Sequence, residues 1–240
     1  MIYKCKYIIG LTDVRMSNNM TNKSILKVLE NAGGMHSEEV GYGLNSIEKT
    51  GLSWVLLGWK VKVIKRPKYN TQISIHTWAR DSNRVFTYRD YEIYDENNNL
   101  LVIATSKWTL VDINKGKMAE LTPEIINLYK REDKSVFEER DMPKLKEPTS
   151  AISKIRYPIL RSDIDINNHV HNLYYLDFAY EALPEDAYRA EECDNIEIMY
   201  KKQIKLGDKI VCKYSKENNE HIISIKSEDE SVLHAIVKLY

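Results

Sequence analysis

The stretch TDVRMSNNMTN at residues 12–22 returns as SDIDINNHVHN at residues 162–172, at a constant offset of 150 residues. Three pairs of positions in the two copies share apolar character, and three further pairs are identical. The identical pairs are Asp13/Asp163, Asn18/Asn168 and Asn22/Asn172. Because self-similarity at a fixed offset indicates repeated structural units, the motif predicts that the chain is an internal duplication.

Each copy of the motif precedes a helical pattern and then a series of strand-like segments. Apolar residues recur at helical spacing from Ile25 to Leu29, with the helix expected to end at Gly33-Gly34, and from Val170 to Leu183, with Pro184 ending that helix. The predicted strands are residues 52–64, 71–79, 84–95 and 100–111, and then 196–204, 209–215, 221–228 and 232–239. A long helix with a mostly antiparallel sheet in each half is an α+β architecture.

The domain organisation that follows has three parts. Residues 1–117 form the first unit and residues 151–240 the second, and residues 118–150 are interpreted as a charged linker with a short helix near residues 123–131. Proline at residue 123 suits the first turn of that helix.

Composition excludes several classes of protein. With 43% hydrophobic residues in 240, the chain has enough apolar material for a sizeable core, and its 35 basic and 35 acidic residues create no global field for nucleic acid. The apolar run at residues 54–59 is far shorter than the ~20 residues of a membrane span, and the N-terminus lacks the layout of a signal peptide. Three cysteines without paired spacing predict free thiols, so a cytoplasmic location is expected.

The densest polar cluster is the second copy of the motif. Alternation of apolar and polar residues there predicts an extended approach to a helix, with Asp165, Asn167 and His169 on one side near the helix N-terminus. Free N–H groups at that point polarise a carbonyl, and a neutral histidine is a suitable general base at pH 7. The alternative is that these residues only cap the helix. The first copy has other side chains at these three positions, which favours one chemically active copy and one structural copy.

Other kinds of site receive less support. His169 and His171 are two residues apart without an HExxH pattern or a nearby cysteine pair, so no metal is expected. No GxSxG elbow, GxGxxG loop or phosphate loop occurs, so neither a serine acyl-enzyme nor a nucleotide cofactor is predicted. Basic stretches near residues 60–68 and 201–205 are typical of protected sheet edges, and they also suit an acidic carrier.

The stretch at residues 162–175 resembles the active-site segment of acyl-acyl-carrier-protein thioesterases, the plant plastid enzymes and their shorter bacterial relatives. ATSKW at residues 104–108 is similar to a stretch in the N-terminal half of that family. Weaker agreement occurs at Trp54, Tyr69-Asn70, Thr77-Trp78 and Arg89-Asp90, so the resemblance covers about residues 3–240.

This resemblance implies a tandem double hotdog, in which each half is a long central helix wrapped by an antiparallel sheet. It also implies hydrolysis of a fatty acyl thioester on acyl carrier protein, without a cofactor. The second hotdog would be catalytic through Asp165, Asn167 and His169, with His169 activating water. The first would bind the acyl chain, and the expected substrate contacts are Trp54, Leu56, Trp108 and Tyr175.

One segment departs from the family pattern. Where the family often has a glutamate, sometimes followed by cysteine, this chain has Gln203 and Ile204. Gln203, expected on a strand that meets His169, can orient water or a carbonyl but cannot accept a proton. The base role would then fall on His169, with a slower turnover expected.

Several alternatives stay open at this point. The chain could act on acyl-coenzyme A, serve as a non-catalytic acyl-binding or sensing module, or be a hotdog dehydratase. The partner implied is acyl carrier protein, with no nucleic acid and no membrane span, and a homodimer is an open alternative. The sequence does not specify the acyl chain length.

Overall fold

The two halves of the chain fold as two units. In the computed structural model, which describes residues 1–190 and 193–240, they are Met1–Met142 and Pro143–Tyr240. We refer to them as the N-terminal unit and the C-terminal unit. Among the described residues, no helix is both long enough and apolar enough to cross a membrane.

The N-terminal unit is an antiparallel sheet with helices. Its strands are β1 (Tyr3–Ile8), β2 (Leu52–Val63), β3 (Gln72–Ser82), β4 (Phe86–Tyr94), β5 (Leu100–Asp112) and β6 (Lys117–Met118). Its helices are α1 (Asn22–Glu39), α2 (Ile47–Thr50) and α3 (Pro123–Leu128). The strand order is β1-β3-β4-β5-β2, and β6 pairs with β5.

The C-terminal unit repeats this plan. Its strands are β7 (Ser153–Pro158), β8 (Asn195–Tyr200), β9 (Lys209–Glu217), β10 (Glu220–Ser227) and β11 (Leu233–Leu239), and its helices are α4 (Tyr174–Glu181) and α5 (Glu185–Arg189). The strand order in this unit is β7-β9-β10-β11-β8. When the first five strands of each unit are numbered along the chain, both units have the order 1-3-4-5-2. The predicted internal duplication is therefore confirmed.

Helix α1 is longer than predicted. Its apolar residues from Ile25 to Leu29 are buried as expected, but the helix continues through Gly33 to Glu39, so the predicted end at Gly33-Gly34 is wrong. Gly33 faces the sheet, where an added Cβ would lie 2.9 Å from the Tyr91 hydroxyl oxygen. The glycine is needed for close packing of helix on sheet, not for a helix end.

Helix α4 is shorter than predicted. It has eight residues and begins at Tyr174; the Tyr174 N–H donates to the carbonyl of His171 (2.9 Å), three residues earlier, as in a turn and not as in an α-helix. The C-terminal unit therefore has a short central helix, in contrast to the 18 residues of α1.

Part of the segment interpreted as a linker belongs to the core of the N-terminal unit. Leu121, Ile125 and Tyr129 pack against Leu110 of β5. Further along, the indole N–H of Trp78 donates to the carbonyl of Lys134 (2.9 Å). This segment is thus packed onto the N-terminal unit, and the division into units falls at residues 142–143.

Candidate active site

The polar motif of the C-terminal unit folds as a tight turn. A short 3-10 helix (Arg161–Asp163) leads into it, and the buried Asp163 accepts a hydrogen bond from the Leu160 N–H (2.8 Å). A hydrogen bond from the backbone N–H of Asp165 to the carbonyl of His169 (2.8 Å) closes the turn. Asn168 has a positive φ of 59°, which reverses the direction of the chain. Asparagine tolerates this left-handed backbone better than most residues.

This geometry corrects the predicted extended approach to a helix N-terminus. Helix α4 starts at Tyr174, five residues after His169, so Asp165, Asn167 and His169 lie in a turn before the helix and not at its first residues. The misleading signal was the alternation of Ile164 and Ile166, because Ile166 is 73% exposed at the tip of the turn and is not part of a strand.

Asp165 stabilises the turn through its carboxylate. One oxygen, Oδ1, accepts the backbone N–H of Asn167 (2.8 Å) and that of His169 (3.3 Å), and Oδ2 lies 3.5 Å from the Asn167 amide nitrogen. The structure thus brings Asp165, Asn167 and His169 together. Asn167 is exposed, while Asp165 and His169 are half-buried.

One ring nitrogen of His169 is buried. This atom, Nδ1, has no hydrogen-bond partner among the residues that the structure describes. Its backbone forms an isolated β-bridge with Lys205. A half-buried imidazole whose backbone is held in place can take a proton from a water molecule or bind a polar group of a ligand.

The predicted position of Gln203 on a strand is wrong. Strand β8 ends at Tyr200, and Gln203 is exposed in the irregular segment that follows. Within residues 1–190 and 193–240, no hydrogen bond joins Gln203 to His169. Its neighbour Ile204 is fully buried, and this apolar residue is the reason that the sequence pattern predicts a longer strand.

Tyr175, expected to contact substrate, is only 3% exposed. Its hydroxyl accepts the backbone N–H of Ile204 (3.2 Å), and burial raises its pKa. The structure therefore places Tyr175 behind the segment that carries Gln203.

The three expected acyl contacts of the N-terminal unit are neighbours in its sheet. Leu56 of β2 lies opposite Trp108 of β5, and Trp54 lies opposite Leu110. Leu56 is buried, whereas both tryptophans are half-buried. The indole of Trp54 donates to the Tyr129 hydroxyl (2.9 Å).

The ATSKW stretch is held by a polar network within the same sheet. Thr105 donates its hydroxyl to the carboxylate of Asp90 (2.7 Å), and the Trp108 indole donates to the hydroxyl of Ser106 (2.6 Å). Arg80, also buried, lies 3.5 Å from Asp90. These contacts give the stretch a structural role in the N-terminal unit.

The sequence does not predict a buried polar cluster that the structure shows around His36. Nη1 of Arg89 donates to His36 Nδ1 (2.9 Å), and the Tyr129 hydroxyl donates to Ser37 (3.1 Å). Burial and the adjacent Arg89 charge lower the pKa of His36 to about 3. His36 follows Gly33-Gly34, where the sequence predicts the end of the helix, so nothing in the sequence places His36 on a buried helix face.

No group of three or more histidine, cysteine, aspartate or glutamate side chains suited to a metal ion occurs in the described ranges. Nδ1 of His171, one of the two histidines considered as metal ligands from the sequence, accepts the backbone N–H of Leu173 (3.3 Å).

Two family models match consecutive parts of the chain. The acyl-ACP thioesterase N-terminal domain matches residues 1–129, and the acyl-ACP thioesterase C-terminal domain matches residues 146–238. Together they cover both repeats in order.

Curated relatives are similar at lower identity. The chain is 24% identical over 222 residues to an oleoyl-acyl carrier protein thioesterase of chloroplasts from Coriandrum sativum, covering 86% of this chain and 60% of the relative. It is 24% identical over 223 residues to oleoyl-acyl carrier protein thioesterase 1 of Arabidopsis thaliana, covering 86% and 61%. The chain thus spans about 60% of the length of these relatives.

Solved structures show the same fold. An acyl-ACP thioesterase from Bacteroides thetaiotaomicron has a TM-score of 0.86 at 22% identity, over 99% of this chain and 96% of that one. The 12:0-ACP thioesterase from Umbellularia californica has a TM-score of 0.87 at 16% identity, over 99% and 96%. The tandem double hotdog expected from the sequence is confirmed.

Proposed function

The chain belongs to the acyl-ACP thioesterase family, and from that premise we propose that it hydrolyses the thioester between a fatty acyl chain and the phosphopantetheine arm of acyl carrier protein. The products are a free fatty acid and the carrier thiol, so the reaction ends chain elongation in fatty acid synthesis. The observation that carries the proposal is the match of both family models, in order, along the two repeats.

In the proposed reaction, His169 is the general base. The imidazole takes a proton as a water oxygen attacks the thioester carbon, and the carbonyl oxygen becomes an oxyanion. The C–S bond then breaks, and the imidazolium returns the proton to the departing thiolate. The ring is half-buried and therefore partly accessible to water, which supports this role.

Asp165 and Asn167 have supporting roles in this proposal. Asp165 holds the turn by accepting two backbone N–H groups, which keeps the His169 backbone in place. The Asn167 amide is exposed and can donate to the thioester oxygen. Gln203, exposed next to the same loop, is proposed to orient the attacking water.

The proposed partner is an acidic carrier protein. Lys201, Lys202 and Lys205 are all exposed, and Lys205 lies opposite His169 in the β-bridge. Positive charge at this point favours approach of an acidic surface. Coenzyme A also carries negatively charged phosphates, so the choice between the two carriers rests on a direct comparison of rates.

The test is release of free thiol from acyl carrier protein and from coenzyme A, each loaded with acyl chains of several lengths. We expect faster release from the carrier protein, and a loss of that preference when Lys201, Lys202 and Lys205 are all changed to glutamine. Equal rates with both carriers would favour the acyl-coenzyme A alternative.

A non-catalytic acyl-binding role is the second candidate. It is favoured by Gln203 in place of a carboxylate and by the absence, within the described residues, of a hydrogen-bond partner for His169 Nδ1. This role predicts saturable binding of acyl carrier protein with no thiol release at any chain length.

A further inference from the structure

The starting observation is one buried hydrogen bond in the C-terminal unit. The Tyr175 hydroxyl on α4 accepts the backbone N–H of Ile204 at 3.2 Å, and both residues are 3% exposed or less. Nothing in the proposed reaction uses this hydroxyl directly.

The bond fixes the segment that borders the His169 loop. The carbonyl of Ile204 accepts the Val170 N–H (2.9 Å), and the next residue, Lys205, lies opposite His169. In an antiparallel pair of this kind, with no direct hydrogen bond between the opposed residues, the side chains approach closely. The hydroxyl of Tyr175 therefore holds, through Ile204, the backbone next to His169 and the residue that precedes it, Gln203.

The N-terminal unit keeps the backbone arrangement without this bond. Its corresponding segment places Lys68 opposite Asn19, and the carbonyl of Pro67 accepts the Met20 N–H (2.8 Å). Proline has no N–H to satisfy.

The residue that corresponds to Tyr175 in the N-terminal unit is Ile25, which is fully buried and has no hydroxyl. The C-terminal unit thus has both the Ile204 N–H and the Tyr175 hydroxyl that accepts it. The N-terminal unit has neither group at the corresponding positions. A buried N–H without a partner destabilises the folded state, which is the physical reason for the two changes to occur together.

We propose that Tyr175 is a positioning residue of the thioesterase reaction, acting through the Ile204 N–H to hold the backbone beside His169 and Gln203, and not a contact for the acyl chain. The proposal rests on the proposed function. It differs from the sequence-based expectation for Tyr175, which placed this residue among the substrate contacts.

The first experiment compares Tyr175→Phe with Tyr214→Phe. Tyr214 is a matched control because it is equally buried in the same unit, with its hydroxyl 3.0 Å from His221 Nδ1 on β10. We expect Tyr175→Phe to lower kcat about tenfold with KM within about twofold, as loss of one positioning hydrogen bond predicts. Tyr214→Phe should leave both constants within about twofold.

A second variant copies the N-terminal unit. In the Ile204→Pro background there is no N–H to satisfy, so adding Tyr175→Phe should change kcat by less than about twofold. A full tenfold loss in that background would overturn the proposal, because the hydroxyl would then act by another route. A change in KM or in chain-length preference without a change in kcat would also overturn it, since that is the signature of an acyl contact.

A measurement independent of activity separates this proposal from the proposed function. We expect amide hydrogen exchange at Ile204 to speed up, and the ring resonances of His169 to shift, in Tyr175→Phe but not in Tyr214→Phe. Unchanged exchange at Ile204 would overturn the proposal even if Ile204→Pro did not fold. A wild-type protein that releases no thiol would instead refute the proposed function, while the exchange result still decides whether the bond holds the segment.

Discussion

The loops at residues 12–22 and 162–172 have the same backbone and different side chains. In each loop a buried aspartate accepts a backbone N–H from three residues earlier, at 2.9 Å for Asp13 and 2.8 Å for Asp163. In each, an asparagine turns the chain at φ 59°, namely Asn18 and Asn168. Residues common to both copies therefore fix the conformation, so the conformation alone cannot specify chemistry.

The two copies differ at many positions, six of which concern the proposed chemistry. These six are Arg15/Asp165, Ser17/Asn167, Asn19/His169, Ile25/Tyr175, Arg66/Gln203 and Pro67/Ile204. In the N-terminal unit the guanidinium at this site donates to the Asn22 side chain (2.9 Å), whereas in the C-terminal unit Gln203 is exposed. Chemistry that belongs to one repeat alone must rest on positions that differ, and these six include every residue proposed to act in the reaction.

The largest expected effect comes from making one loop like the other. His169→Asn gives the second loop the residue that the first has at that position. We expect kcat for acyl-ACP hydrolysis to fall about 100-fold or more, because a general base is lost while the backbone can be kept. Asn19→Ala is the control and should stay within about twofold. Near-normal thiol release by a folded His169→Asn protein would remove His169 from the mechanism.

The interiors of the units differ as much as their loops. On β4, Arg89 and Tyr91 are buried opposite Ser106 and Ala104, whereas the matching positions of β10, Ile223 and Ile225, are apolar. Only the N-terminal unit therefore carries a buried guanidinium against its central helix at this place.

The second prediction concerns His36, which this guanidinium contacts. Arginine can only donate, so Nδ1 of His36 must accept, which together with burial disfavours protonation. The folded-state pKa of about 3 lies below that of an exposed imidazole, so the unfolded chain binds more protons at intermediate pH. The unfolding free energy should therefore fall by about 1.4 kcal/mol per pH unit as pH drops below about 6.5, or about 2 kcal/mol by pH 5.

Denaturant unfolding at pH 7 and pH 5 measures this contribution. His36→Asn keeps an acceptor for Arg89 but does not titrate, so its stability should depend less on pH than that of the wild type by the amount stated. His221→Asn, at a half-buried site on β10, should change the pH dependence less. The same pH dependence in His36→Asn and wild type would show that His36 is not buried neutral.

Sequence reasoning succeeded where one local pattern has one physical cause. The paired loops were recognisable because Asp163 and Asn168 serve the same turn chemistry as their counterparts, and each turn requires those residue types. The apolar face of α1 was predictable for the same reason, since helical spacing needs only local geometry.

The errors arose where tertiary contacts decide the outcome. Gly33 looks like a helix end, but its role is contact with Tyr91 across the helix–sheet interface. Ile204 looks like the end of a strand, but it is buried by a side chain of α4 and by the His169 loop. The cluster of His36 and Arg89 joins residues 53 positions apart, with no spacing that marks them as neighbours.

The third prediction concerns Gln203, where the two repeats and the family pattern all differ. Gln203→Glu adds a carboxylate of similar size beside the loop of His169, and we expect kcat to rise by about threefold to tenfold. The gain is limited because the side chain is exposed and water screens its charge. Gln72→Glu, the same change at the other glutamine of the chain, is the control and should have no effect. A fall in rate in Gln203→Glu would instead indicate that the amide already orients the attacking water.

The smallest expected effect on the best rate comes from testing which unit selects the length of the acyl chain. If the N-terminal unit selects the acyl chain, Leu56→Val, which removes one methylene group opposite Trp108, should move the preferred chain length up by about two carbons while the best rate stays within about twofold. Ile198→Val removes the same group from β8 of the C-terminal unit, at a site that is equally buried, and costs a similar ~0.5–1.5 kcal/mol of stability. Its length profile should not move, so a general loosening of the protein cannot explain the shift in the first variant. Thiol release measured across a series of acyl lengths decides the matter: a profile that responds to Ile198→Val and not to Leu56→Val would assign chain selection to the C-terminal unit, together with the proposed chemistry.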